Sequence, residues 1–361
     1  MAPLPAADFD AGLPLSQAKT IPSDWYTSPA MAAAEREQVF ARSWQYAGRA
    51  DQVATPGSYL TADIAGEPVA VVRGDDGVLR AFFNVCRHRA AAVLTEPCGH
   101  ATKLRCRYHG WTYDLTGRLR GTPEFDGVDD FAKEDNGLPP VRVETLGPFV
   151  FVHLELPTVT LEHFLDPFPQ WLARNDVSGL TFARRVEYDV PCNWKVYVDN
   201  YLDGGYHVNT VHPALAGVLD YSQYRVTLHP HCNVQTSPLV PGDAGDAATA
   251  TRTGTEASYW WLFPNFMVNH YANVMDTNWV LPLGPDKCRV IFDYYFAENC
   301  TPEFIGQSIA VAHQVQMEDE GVCRDVQRGL NSRSYRTGRF SVKREAGGYH
   351  FHRLLAERVK G

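Results

Sequence analysis

Residues 84–91 read NVCRHRAA and residues 103–113 read KLRCRYHGWTY. Each stretch leaves a strand-like run, AFFNV in the first case and TKLR in the second, and enters a tight loop with one cysteine and one histidine. Cys86 and His88 lie on the first loop, Cys106 and His109 on the second. The 17 residues between His88 and Cys106 are enough for the chain to turn and bring the loops together. Two thiolates and two imidazoles would then converge.

Taken singly, such residues are as well read as core cysteines and surface histidines. Two pairs at loop spacing within one strand-rich region argue for a metal centre. A structural zinc site accepts two Cys and two His, but zinc fingers usually place the two Cys together and the two His together. Here each loop carries one of each, which suits a [2Fe–2S] cluster whose one iron takes both thiolates and whose other iron takes both imidazoles. Cys98-Gly99-His100 repeats the Cys-x-His spacing, but only five residues separate His100 from Cys106, so it is assigned to the connecting loop.

Working outward, residues 57–152 hold short apolar runs (PVAVVRG, LRAFFNV, GPFVFVHLEL) between Gly, Asp and Pro turns, the texture of many short strands. Asp76-Gly77 predicts a hairpin. Residues 30–44 predict a helix that buries Ala33, Phe40 and Trp44. Helical patterns recur at 159–173, 195–209 and 303–330, mixed with the strands WVLPLG and CRVIFDYYF. The stretch 240–257 is small, polar and loop-like. The division expected is an N-terminal arm and helix (1–38), an all-β domain (39–156) and a larger α+β domain (157–361) into which the β domain is inserted.

With 361 residues and 45% hydrophobic, 12% aromatic content, the chain is not a disordered one. Lys and Arg number 33 against 42 Asp and Glu, a formal charge of −9. That argues against nonspecific binding to nucleic acid or to an anionic membrane. No apolar run reaches the length of about 18 residues that a membrane-spanning helix needs. The eight irregularly spaced cysteines are not a secreted disulfide framework, so a reducing cytoplasm is expected.

A cluster alone relays electrons, so a second metal site is sought. In 193–213, NWKVYVDNYLDGGYHVNTVHP, a helical wheel sets Val196, Asn200, Asp203 and His207 on one stripe. Pro213 biases His212 away from helix and Gly204-Gly205 loosen the preceding turn, so His212 can bend back beside His207. Two ordinary histidines near a helix end are the bland alternative. Two His and one carboxylate form the facial triad of non-haem iron(II) sites. In 313–330 Val315, Val322 and Val326 define an apolar stripe, and Asp319 lies within roughly 40° of its centre at about 100° per residue. Glu318 is marginal, and Glu320 and Asp325 point away. A structural salt bridge is the other reading of Asp319.

The two cysteine–histidine loops together with NWK, DNYLD, Tyr206-His207 and His212 resemble the Rieske non-haem iron oxygenases, the ring-hydroxylating oxygenase alpha-subunit family. SDWYT, FNVCRHRA, YHGWTY, FPNF and the tail VQRGL…YRTGR…FH extend the resemblance over most of residues 20–356, and within the family they look most like the plant choline-oxidising branch. Departures are the lack of a plastid leader, which suggests a bacterial-type protein, Gly204-Gly205, the Asn209-Thr210-Val211 spacer and residues 229–257.

The resemblance implies an α+β fold: a small all-β Rieske domain inserted in a helix-grip-like catalytic domain with a mainly antiparallel sheet and a mononuclear iron. It implies that Cys86, His88, Cys106 and His109 hold the [2Fe–2S] cluster and that His207, His212 and Asp319 hold Fe(II). Electrons from NAD(P)H would arrive through a separate flavin/iron–sulfur reductase or ferredoxin, and transfer would cross subunits of a homotrimer or a multiple of it. Asp203 is the candidate bridge between a Rieske histidine and an iron-binding histidine, a surface carboxylate being its alternative. Asn200 is placed near the open face of the iron. The substrate implied is a quaternary ammonium compound, attacked by C–H hydroxylation or N-demethylation, with Tyr201, Tyr206, Tyr259, Trp260, Trp261, Phe263, Phe266, Tyr271, Trp279, Tyr294 and Tyr295 as available aromatic faces. An aromatic or other uncharged substrate on the same machinery, and a non-catalytic electron carrier, are the competing readings.

Overall fold

The computed structural model describes residues 9–175, 177–240 and 247–360. The chain divides into two units: residues 40–163 form one, and 1–39 with 164–361 form the other. Residues 159–163 go with the first unit because side chains tie them there. Trp44 Nε1 donates to Val159 O at 3.4 Å, and Leu161 N donates to Glu144 Oε2 at 3.0 Å.

The first unit is β throughout except for short turns of helix. Its strands are β1 (Gln45–Arg49), β2 (Ser58–Ile64), β3 (Glu67–Arg73), β4 (Leu79–Phe83), β5 (Cys98–His100), β6 (Leu104–Arg105), β7 (Thr112–Tyr113), β8 (Leu119–Gly121), β9 (Pro140–Leu146) and β10 (Phe149–His153). A seven-stranded sheet runs β1-β10-β9-β4-β3-β2-β5, and β6-β7-β8 form a small second sheet. The β3–β4 hairpin turns at Gly77, whose φ is +76°. Cys98-Gly99-His100 is an exposed edge strand and not the expected loop. It pairs with β2, and the His100 ring bonds Pro56 O at 2.7 Å. Tyr59, Val72 and Phe82 from the large sheet share one core with Leu104, Trp111, Tyr113, Cys86 and Cys106. Both loop cysteines are therefore fixed by packing from two sheets.

The second unit is built on a seven-stranded antiparallel sheet of β11 (Leu180–Val190), β12 (Arg225–His229), β13 (Cys232–Pro238), β14 (Glu256–Leu262), β15 (Phe266–Tyr271), β16 (Val274–Pro282) and β17 (Cys288–Ala297), in the order β11-β17-β16-β15-β14-β13-β12. The helix Pro302–Leu330 packs near the helix Trp194–Tyr201 and against β11. Its N-cap is Thr301, whose side chain accepts from Phe304 N, with Pro302 in the first turn.

Three helical expectations are corrected. Residues 29–35 are α-helical but 36–40 widen into a π-turn before the chain leaves for β1. The wider turn shifts the wheel, so Ala33 is exposed and Met31 and Glu35 are buried, while Phe40 and Trp44 are buried as expected. The 159–173 pattern splits into Leu161–Phe164 and Phe168–Arg174 around Pro167, which cannot continue a helix. The 195–209 pattern stops at Tyr201. Gly204 and Gly205 then adopt φ of +68° and +71° before a short helix at Val208–Val211. A Cβ at Gly204 would collide with the carbonyl of Arg344, so that reversal requires glycine. Of the expected loop 240–257, residues 241–246 lie outside the described residues, Ala247–Thr251 is helical and Glu256 opens β14.

Candidate metal centres

In the first unit the two cysteine–histidine loops are built alike. Cys86 N donates to Ala91 O at 2.9 Å and Ala90 N returns to Cys86 O at 2.9 Å. Cys106 N donates to Trp111 O at 2.9 Å and Gly110 N returns to Cys106 O at 3.1 Å. The fourth residue after each cysteine takes positive φ, +59° at Ala90 and +75° at Gly110. Cys86 and Cys106 are buried, while His109 is exposed and His88 half-buried. The two imidazoles meet edge to face at 4.5 Å, and Trp111 stacks on His88 at 4.9 Å. Tyr113 OH lies 3.4 Å from Cys86 Sγ and accepts from Arg87 N at 3.0 Å.

His88 Nδ1 is shielded from solvent and has no hydrogen-bond partner. A buried ring nitrogen left so is costly unless it binds a metal. One thiol and one imidazole from each loop make up the donor set of a two-iron cluster that takes its thiolates at one iron and its imidazoles at the other. In the other unit three side chains, two His and one carboxylate, converge with their ligand atoms within 4.8 Å of one another.

That group of three is His207, His212 and Asp319. The Nε2 atoms of the two histidines are 3.1 Å apart. Asp319 Oδ1 is 3.1 Å from His212 Nε2 and 3.5 Å from His207 Nε2. Each ring is held from behind by a carboxylate. His207 Nδ1 bonds Asp203 Oδ2 at 2.5 Å, and His212 Nδ1 bonds Glu318 Oε2 at 2.7 Å. An ionised carboxylate can only accept, so both Nδ1 atoms carry the proton and both Nε2 lone pairs face the common centre. Two lone pairs and a carboxylate at these separations repel unless a cation lies among them. Ligands at about 2.1 Å and right angles from a metal are about 3.0 Å apart, which the triangle matches. Burial alone would lower the His212 pKa, but Asp319 and Glu318 outweigh it and raise it.

Local structure explains the convergence. Asp203 Oδ1 and Oδ2 also accept from Tyr206 N and His207 N, so one carboxylate closes the turn and orients the ring. The Pro302–Leu330 helix is aligned on residues 193–200 by three polar contacts. Tyr197 OH donates to Gln316 Oε1 at 2.7 Å, Asn200 Nδ2 to Asp319 Oδ1 at 2.7 Å, and Asn193 N to Gln327 Oε1 at 2.8 Å. The buried stripe of that helix is Ile309, Gln316, Cys323, Gln327 and Leu330, not the valine stripe expected, and Val326 is exposed. Asp319 falls on the inner face because Gln316 and Cys323 flank it there. The sequence reading placed Glu318 only at the margin of the stripe, and its place behind His212 Nδ1 carried no local signal. Lys195, fully buried, pairs with Glu35 at 2.6 Å, and Trp194 Nε1 donates to the other Glu35 oxygen at 2.8 Å.

A Rieske [2Fe-2S] domain model matches residues 43–132, and the model for the ring hydroxylating alpha subunit (catalytic domain) matches 177–361, more than half of the chain. The chain is a Rieske non-haem iron oxygenase. As such it pairs a [2Fe–2S] cluster with a catalytic mononuclear iron, takes electrons from a partner and acts on a small substrate. This oxygenase is 38% identical to the chloroplastic choline monooxygenase of Arabidopsis thaliana over 98% of its own length and 86% of the relative. It is 31% identical to the carnitine monooxygenase oxygenase subunit of Escherichia coli K12, covering 95% of each. The quaternary ammonium Rieske monooxygenase CntA bound to L-carnitine superposes with a TM-score of 0.85 at 31% identity over 99% of both chains. Naphthalene 1,2-dioxygenase from Rhodococcus sp. shares the fold, with a TM-score of 0.78 at 20% identity over 94% of both.

Proposed function

We propose that this oxygenase acts on a quaternary ammonium compound, with the cluster held by Cys86, His88, Cys106 and His109 and the catalytic iron by His207, His212 and Asp319. The observation that carries the reading is the cavity beside those three ligands. It holds about 820 Å³ of empty space. Its walls include Tyr201, Tyr224, Tyr259, Tyr271 and Phe292 together with Asp276. Tyr224 stacks on Tyr259 at 6.4 Å, and Tyr259 meets Tyr271 edge to face at 5.8 Å. A quaternary nitrogen offers no hydrogen-bond donor, so aromatic faces and a nearby carboxylate are what can recognise it. The choline and carnitine monooxygenases among its relatives point to the same substrate class.

Held by His207, His212 and Asp319, an iron would supply dioxygen activation. Asp203 and Glu318 fix the two rings, Asn200 fixes Asp319, and the tyrosine walls position the substrate and exclude water. The net conversion is R–H + O2 + 2 e⁻ + 2 H⁺ → R–OH + H2O. Where the carbon attacked is an N-methyl group, the product loses formaldehyde. The electrons would come from NAD(P)H through a separate flavin/iron–sulfur reductase or ferredoxin. We further assign Asp203 the bridging role to a neighbouring subunit's Rieske histidine, in a homotrimer or multiple of it. Inter-subunit electron transfer is described for a quaternary ammonium Rieske monooxygenase of 0.88 TM-score and 30% identity. No described helix is long and apolar enough to cross a membrane. We place the enzyme in the cytoplasm, where its free cysteines would stay reduced.

Oxygen uptake with reductase, measured with choline, carnitine, glycine betaine and a panel of aromatics, tests the substrate class. Uptake coupled to product is expected with one of the ammonium compounds. Coupled uptake with an aromatic alone would overturn the reading. Formaldehyde release separates demethylation from hydroxylation elsewhere.

A further inference from the structure

We propose that Arg252 binds a carboxylate on the substrate, so that the cavity selects a zwitterion, a quaternary ammonium carboxylate, over a plain cation of the choline type. The inference rests on the quaternary ammonium reading and narrows it to one chemical class.

Arg252 follows the short helix Ala247–Thr251 and lines the same cavity as His207, His212, Asp319, Asp276 and the tyrosines. Its guanidinium carbon lies 5.4 Å from the centroid of the Tyr271 ring. Nε and Nη1 are both sealed from solvent, and neither has a hydrogen-bond partner. A guanidinium cannot discharge itself by losing a proton, so two bare N–H donors in a buried place leave a standing penalty. Asp276, the buried carboxylate in the same wall, does not satisfy them. Its Oδ2 accepts from Asn269 Nδ2 at 2.7 Å. Tyr271 OH, which donates to Tyr259 OH at 3.0 Å, and Asp276 both favour the charged guanidinium, but neither is hydrogen-bonded to Nε or Nη1.

The donors therefore await a ligand. A guanidinium fork suits a planar two-oxygen anion, and the match is bidentate. The cavity thus offers opposite charges for opposite ends of one molecule: aromatic faces and Asp276 for the quaternary nitrogen, Arg252 for the carboxylate. Choline, with a hydroxyl in place of the anion, would leave Nε and Nη1 without a charged acceptor.

The test is equilibrium binding by titration calorimetry to the iron-loaded, oxidised, full-length enzyme without reductase, so that no turnover occurs. The probes are glycine betaine and 4-(trimethylammonio)butyrate, the methyl ester of each, and choline. At least one of the two acids is expected to bind tenfold or more tightly than its ester or choline. In Arg252→Met that preference falls to within about threefold while ester and choline affinities hold, and Arg252→Lys recovers part of it. Iron content and melting temperature of each variant confirm that the fold and the metal sites survive. Equal binding of acids and esters by the wild type would sink the assignment, as would an acid preference that persists in Arg252→Met. So would equal losses of acids, esters and choline in that variant, which mark Arg252 as a purely structural support. If no quaternary ammonium probe binds the wild type at all, the substrate class itself is wrong, a result distinct from ester and choline binding without acid preference.

Discussion

The two regions to which we assign the metals solve the same problem, presenting two histidines to one centre, by different means. On the Rieske side the geometry is local. Each loop is closed by a pair of backbone hydrogen bonds between a cysteine and residues four and five positions on, and the two loops lie 20 residues apart in sequence. On the catalytic side the geometry is assembled from distant chain. Asp319 lies more than 100 residues beyond His207 in the chain, and it is kept in place by Asn200, while Gln316 and Gln327 hold its helix in register. The first site is encoded by turn chemistry and the second by buried polar pairing, so the two should fail independently and in different ways.

The largest effect expected is reciprocal loss. Asp319→Ala should bring turnover to background while the visible and EPR spectra of the cluster stay unchanged. Cys106→Ala should abolish those spectra while one iron per chain is retained. Loss of both centres in either variant would show that the sites are coupled and break the contrast. Next, Asp203→Asn should keep both centres yet lower turnover by about a hundredfold, because an orienting carboxylate behind a ligand is worth roughly 10–100-fold. Single-turnover reduction of the mononuclear site, followed by rapid freezing, reads this directly; wild-type rates with both irons intact would remove Asp203 from the electron path. Glu318→Gln keeps an acceptor for His212 Nδ1 but loses the charge. It should weaken iron retention against a chelator by about tenfold and lower turnover by less than Asp203→Asn does.

The smallest effect on turnover is expected at His350, which distinguishes the catalytic unit by its response to acid. Burial pushes its pKa down to about 4, and its Nε2 has no hydrogen-bond partner. Below the unfolded value near 6.5 the unfolded chain takes up a proton that the folded one refuses. Stability is therefore full above about pH 6.5 and falls as pH drops to about 4, by up to about 3 kcal/mol. Denaturant melts at pH 7 and pH 4.5 should show His350→Gln losing less stability than the wild type over that interval, with the cluster spectrum unaffected by the substitution. An equal loss in both proteins would exclude His350 as the source.

The contrast also explains what could be read from the sequence. The Rieske loops were legible because a Cys and a His fall within three residues of each other on each of two loops at a spacing that lets them meet. His207 and His212 were legible through the Gly204-Gly205 and Pro213 breaks, although the helix stops at Tyr201 and not near 209. Asp319 was found on a stripe defined by the wrong residues, because the true inner face carries Gln316 and Gln327, which hydropathy counts as outside. The role of Glu318 behind His212, the Lys195–Glu35 pair and Arg252 gave no signal, since each is set by partners far along the chain.

The central claim is that one polypeptide carries two chemically distinct iron sites. Iron and acid-labile sulfide measured together on anaerobically purified protein test it most directly. About three iron atoms and two sulfides per chain are expected, with one iron removed by a mild chelator and the visible spectrum left intact. Equal numbers of iron and sulfide in protein that still turns over would contradict it.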